Sequence, residues 1–220
     1  FDDGPVPGAP PELAVGPNWT NLKVYLEGQP LTLDLTETVE HRRGLDMRQA
    51  LFWRQWVCRD GAGRTTRISL VRLASLGDRH ALFQSMVIIP QNYSGSLVLE
   101  SRFAPPPRAD GQPHPARLEV WPEGVLIEWQ VRGGVKVAFG IGHQTWPAVA
   151  AEVGRGDGEV VIRWAFRTER GKPIRLDRFA AVFTSHDAPD PADQAMRRLG
   201  ELTARGAPEL VRGHVCGWDQ

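Results

Sequence analysis

Between residues 19 and 185 apolar side chains recur at every second position, and almost no helical spacing interrupts them. In 125–131, Val125, Ile127, Trp129 and Val131 alternate with Leu126, Glu128 and Gln130. Val135, Val137, Phe139 and Ile141 repeat the pattern, as do Val160, Ile162, Trp164 and Phe166 against Arg163 and Ala165. Successive strand residues point to opposite faces, so a period of two predicts strands buried on one face, which a second layer must cover. Segment 81–90 is apolar on both faces and predicts a central, doubly covered strand closed by Pro90. Segment 94–103 is expected to pair with it across the turn at 90–95, where Asn92 and Gly95 are turn formers. Segment 45–57 starts with Leu45 and Met47 on one face and slips near Gln49-Ala50, predicting a bulge. Arg132-Gly133-Gly134 is a hairpin signal, and 176–185 closes the strand series. Together these predict a mainly β chain, a large antiparallel β-sandwich. Residues 1–18 form a Pro/Gly-rich lead-in. Residues 103–117 are a Pro-rich loop too long for a hairpin.

The pattern changes at residue 188, which divides the chain into a β domain (1–187) and an α-helical linker (188–220). Asp190 is an expected N-cap and Pro191 the first helical residue. Ala192, Ala195, Met196, Leu199 and Leu202 form an apolar stripe that Gly206 ends. Pro208 opens a second helix with Leu210, His214 and Trp218 along one face, and this helix has no stop signal.

The 26 basic and 26 acidic residues balance, leaving no electrostatic footprint for nucleic acid or an anionic membrane surface. No apolar run is long enough to cross a bilayer, and no signal peptide is visible. Two isolated cysteines, Cys58 and Cys216, make neither a disulfide framework nor a zinc site and suggest a reducing, cytoplasmic setting. Six scattered histidines show no metal-ligand spacing, so no metal is expected. Glu100, Glu119, Glu128 and Asp177 lie on or beside strands, where alternation puts most of them on a solvated face, and none stands out as a catalyst. Ser75, Asp78 and His80 have triad chemistry but crowd into one turn, which favours a structural histidine. Gly140-x-Gly142 lacks the third glycine and the following helix of a dinucleotide motif. Of eight tryptophans, Trp53, Trp129 and Trp164 fall on alternating apolar faces and are assigned to packing. Trp19, Trp121 and Trp146 sit near strand ends or loops, where stacking on a sugar face and edge packing are both open.

One stretch carries more than strand grammar. "LDMR" (45–48), "RLASLGDRH" (72–80) and "GSLVLESRF" (95–103), preceded by "GPNW" (16–19), occur in the order of the N-terminal domain of glycoside hydrolase family 65. "AAVFTSHD" (180–187) and the His214-x-x-x-Trp218 spacing resemble that family's junction into its helical linker. Ala50 departs from the glycine usual there. The resemblance implies a galactose-mutarotase-like super-sandwich, with its opening strands preceding Phe1, followed by two linker helices and a catalytic (α/α)6 barrel. In such enzymes the catalytic Glu and the phosphate site lie in the barrel. There, phosphorolysis of an α-linked glucose disaccharide inverts the anomeric carbon to give β-glucose 1-phosphate. By the same resemblance the present chain is a supporting domain without catalytic residues or cofactor, inorganic phosphate being the parent enzyme's co-substrate. The barrel is its partner, His214 and Trp218 are the linker face docking on it, and a homodimer is expected. A hydrolytic parent and a free-standing carbohydrate-binding sandwich are the alternatives.

Overall fold

The computed structural model describes residues 15–107, 111, 114–131, 134–156 and 158–218. The chain begins with β1 (Lys23–Leu26) and β2 (Gln29–Pro30), then a long hairpin of β3 (Glu37–Asp46) and β4 (Leu51–Arg59). Next come β5 (Thr65–Ala74), β6 (Ala81–Pro90), β7 (Gly95–Phe103), β8 (Ala116–Trp121) and β9 (Gly124–Gln130). β10 (Lys136–Trp146), β11 (Ala151–Gly156), β12 (Glu159–Thr168) and β13 (Ile174–Thr184) complete the strands, and α1 (Pro191–Arg205) and α2 (Ala207–Trp218) end the chain. Among the described residues, pairing is antiparallel in two sheets. One has the order β11-β12-β7-β1-β2, the other β3-β4-β5-β6-β13-β10-β9-β8. The sequence expectation of a large antiparallel β-sandwich followed by two helices therefore holds.

The alternating residues meet between the sheets. Leu26, Leu97, Leu99 and Ile162 from the smaller sheet face Ile68, Ile88, Ile127, Ile141 and Leu176 from the larger one. β6 is the doubly covered strand that its composition predicts. Met86 and Ile88 point into this core, while Phe83 belongs to a second cluster with Phe179, Leu199, Leu202 and Leu210 beneath the helices. Each such fully buried Leu or Phe contributes about 1.5–3 kcal/mol.

Two strand expectations fail, and both failures have physical causes. β7 does not pair with β6, whose edges are taken by β5 and β13; it crosses to the smaller sheet between β12 and β1. Asn92 steers that crossing by accepting from the Thr65 amide (2.7 Å) and donating to the Gly63 carbonyl (2.9 Å). The slip near Gln49-Ala50 is not a bulge inside one strand but the turn that joins β3 to β4. There Asp46 Oδ1 accepts from the amides of Arg48 and Gln49, and Ala50 takes a left-handed φ of 47°. The register shift in this pair lies instead between Thr38 and Glu40. Of the expected hairpin turn, Arg132 and Gly133 lie outside the described residues, as do the lead-in up to residue 14 and part of the Pro-rich loop.

Asp190 caps α1 by accepting from the Asp193 amide (3.0 Å), and Gly206 at φ 77° ends it, its amide donating to the Leu202 carbonyl. α1 crosses β10 and β13 where Gly140 and Gly142 leave room. A Cβ at Gly140 would stand 3.4 Å from the Ala195 carbonyl oxygen, and one at Gly142 3.2 Å from Leu199 Cδ1. Gly140-x-Gly142 is thus a helix seat. α2 starts at Ala207, one residue before the expected Pro208.

Candidate functional site

Polar groups enter the core along one row. Arg72, Gln84, Arg178 and His143 are successive cross-strand neighbours on β5, β6, β13 and β10. Arg178 is fully buried and has no carboxylate partner among the described residues. Its Nε donates to His143 Nε2 (3.0 Å), Nη1 to the carbonyls of Trp19 and Asn21, and Nη2 to Ser101 Oγ. The Phe103 ring lies 5.4 Å away. Burial, and after it the charge of Arg72, push the Arg178 guanidinium down to about 9, so it stays charged at neutral pH. Oriented carbonyl dipoles stand in for a counter-ion, and in doing so they tie the segment before β1 to the larger sheet.

Because Arg178 can only donate, His143 Nε2 accepts, and the ring proton sits on Nδ1 toward the Glu123 carbonyl (3.3 Å). Burial and the Arg178 charge hold His143 well below the ordinary histidine range. Folded His143 is therefore neutral where the unfolded chain's is protonated, so stability is kept above about pH 6.5 and falls as pH drops below it, with a slope of up to about 1.4 kcal/mol per pH unit. Urea unfolding from pH 7.5 to 5 should show this loss, and His143→Gln, which keeps an acceptor for Arg178, should flatten it. An unchanged slope in the variant would mean that another group carries the dependence.

The carboxylates correct one expectation. Of the four carboxylates that alternation put mostly on a solvated face, Glu100 and Asp177 are buried. Glu100 accepts from Arg102 Nε (2.8 Å) and Arg163 Nε (2.7 Å). Burial pulls its carboxyl upward, but these two guanidinium contacts outweigh it and hold Glu100 below its ordinary value. Asp177 accepts from Arg175 Nε (2.8 Å) and Ser85 Oγ (2.6 Å). A general acid has to hold a proton at working pH, and Glu100 is tuned the other way. Ser75, Asp78 and His80 brace a turn: Ser75 Oγ accepts from the Asp78 amide and Asp78 Oδ1 from the His80 amide. Asp78 Oδ2 binds Arg198, and the His80 ring meets the Val182 carbonyl and stacks on Phe183. No group of three His, Cys, Asp or Glu among the described residues could hold a metal ion.

The three sugar-contact candidates are not brought together. Trp19 is half-buried and packs against the inter-sheet core. Trp121 is half-buried over Gly124 and walls a 260 Å³ pocket with Glu123, Gln144, Met196 and Thr203. Trp146 is 45% exposed, more than the other two, with the Arg175 guanidinium over its ring at 4.8 Å. Trp129 and Trp164 are buried as expected, but Trp53 is 39% exposed and lies over Gly44, because β3 and β4 form the outer end of the larger sheet.

His214 and Trp218 hold α2 to the sandwich itself, where the sequence reading had them facing a barrel. Buried His214 accepts the Leu76 amide at Nδ1 (3.1 Å), so its Nε2 donates to the Gln49 carbonyl (2.7 Å). Trp218 Nε1 donates to the Met47 carbonyl (3.0 Å), leaving its ring 44% exposed. Helical periodicity showed that this face is inward but not what it meets. The Arg178–His143 pair was missed altogether; its one signal is an arginine directly before the apolar run 179–183.

The fold is that of a two-sheet sandwich whose larger sheet carries a helical cover, with its buried ionisable groups engaged in holding the layers together. Residues 6–220 match the model of the family described as glycosyl hydrolase family 65, N-terminal domain, and the chain belongs to that family. It is 27% identical over 231 residues to a kojibiose phosphorylase of Caldanaerobacter subterraneus subsp. tengcongensis, covering 95% of this chain and 30% of that protein. Over 90 residues it is 36% identical to the kojibiose phosphorylase of Thermoanaerobacter brockii, covering 41% of this chain and 12% of that one. The solved structure of a putative kojibiose phosphorylase from human microbiome shares the fold, with a TM-score of 0.80 at 13% identity, over 94% of this chain and 28% of that one. The chain thus spans less than a third of the length of these relatives.

Proposed function

We propose that this chain is the non-catalytic supporting domain of an α-glucoside phosphorylase. In this reading an (α/α)6 barrel of the same polypeptide supplies the general acid and binds phosphate, releasing β-glucose 1-phosphate from an α-linked glucose disaccharide. The observation that carries it is the engagement of the buried carboxylates: Glu100 and Asp177 are both held in ion pairs inside the fold. Around the end of α2, Leu45, Met47, Leu76 and Trp218 are 62%, 76%, 52% and 44% exposed. Such an apolar surface suits contact with further polypeptide. Free thiols at Cys58 and Cys216 support a cytoplasmic location, and a homodimer rests on the family resemblance. The test is glucose 1-phosphate release from kojibiose, maltose or trehalose with phosphate. These 220 residues alone should give none, and turnover would overturn the reading.

A carbohydrate-binding role is favoured by one observation, the exposure of Trp146. Saturable quenching of tryptophan fluorescence by a disaccharide, lost in Trp146→Ala, would support it.

A further inference from the structure

A cleft of about 610 Å³ opens between β1–β2 and the inner face of β4–β5, with Arg54, Arg72, Lys23, Trp56 and Asp34 among its lining residues. Arg54 uses Nε on His41 Nε2 (2.9 Å) and lies over the Trp56 ring at 4.7 Å. Arg72 uses Nε on Gln84 Oε1 (2.8 Å). The terminal nitrogens of both guanidinium groups have no ion-pair partner among the described residues. Asp34, exposed, is the lining carboxylate, and it forms no ion pair with them.

A further observation shows that this charge is uncompensated. Arg72 is pushed down by burial and then by the charge of Arg54, so the two cations oppose each other inside the cleft. Like charges held together are costly, and a ligand that supplies oxygen acceptors and negative charge relieves that cost.

We propose that this cleft binds a tetrahedral oxyanion: inorganic phosphate or the phosphate group of a sugar phosphate. Guanidinium forks match phosphate oxygens with paired, charge-assisted hydrogen bonds. Beyond the two arginines the cleft has room for a sugar ring, and Trp56 is among its lining residues. The site lies between the sheets, away from Trp121 and Trp146, and does not depend on the supporting role proposed above.

Titration calorimetry of the 220-residue chain with inorganic phosphate, glucose 1-phosphate and glucose tests this. Saturable binding of phosphate, of the ester or of both is expected, weakening as salt rises, with none for glucose. Equal affinities would identify phosphate alone as the recognised group; tighter ester binding would assign the ring to the cleft. Arg54→Gln with Arg72→Gln should weaken binding by at least about tenfold. Arg72→Lys, which keeps the charge but loses the fork, should fall between, with circular dichroism reporting folding of each variant. No saturable binding of either anion at millimolar concentration, or binding unaltered in the folded double variant, would overturn the proposal.

Discussion

Arg178→Ala is expected to lower the free energy of unfolding by about 3 kcal/mol or more, among the largest single-residue effects in this chain. The guanidinium serves four acceptors at once: His143 Nε2, the carbonyls of Trp19 and Asn21, and Ser101 Oγ. Each buried acceptor left without a donor costs about 1–3 kcal/mol, and the side-chain void adds a cavity penalty. Removing an unpaired buried cation returns part of that sum, so the net loss is smaller than the total of the four. Arg178→Lys should recover less than half of the loss, since one ammonium cannot reach acceptors arranged around a planar fork. Urea unfolding followed by tryptophan fluorescence measures both. A change within about 1 kcal/mol for Arg178→Ala would show that the carbonyls of the segment before β1 find other donors.

Gly77→Ala is expected to lift α2 from the sandwich. A Cβ at Gly77 would sit 2.5 Å from the Gly213 carbonyl oxygen, a backbone atom that cannot swing aside. The helix must shift as a body, and that pulls His214 from the Leu76 amide and Gln49 carbonyl and Trp218 from the Met47 carbonyl. Overpacking of this kind costs about 1–3 kcal/mol. Amide exchange should rise along α2 while the strands stay protected, and tryptophan emission should shift red as Trp218 becomes more exposed. Gly200→Ala is the control: nothing lies within 4 Å of its added Cβ, and helix propensity favours alanine there by about 1 kcal/mol. If the two variants unfold alike, α2 is not held by the close approach at Gly77.

β12 was legible because it buries one face and exposes much of the other, which writes a period of two into the sequence. β9 and β10 carry the same alternation but are not half-buried as expected, since α1 covers their second face. The same rule misled for Glu100 and Asp177. Alternation separates two faces of a sheet but cannot tell water from a second buried layer, and both faces of β7 and β13 are covered near these residues. Adjacent strands in sequence were also expected to be adjacent in space, yet β7 leaves β6 for the other sheet because β13 returns to take that edge. Trp146 remained exposed and Trp121 became a helix contact, a difference set by where α1 lies rather than by either residue's neighbours in the chain.

By itself the amino-acid sequence determined the β-sandwich, the change to helices after residue 187, the caps of α1 and the family resemblance. These follow from local propensity and from repeated one-sided burial, which every strand or helix records in its own residues. Tertiary structure alone decided that Arg178 lies on His143, that Gly140 and Gly142 seat α1, and that His214 closes α2 onto the β3–β4 and β5–β6 turns. Each of these joins groups far apart in the chain. His214 and Gln49 are 165 residues apart, and no local pattern encodes a contact whose partner is chosen by the packing of whole layers.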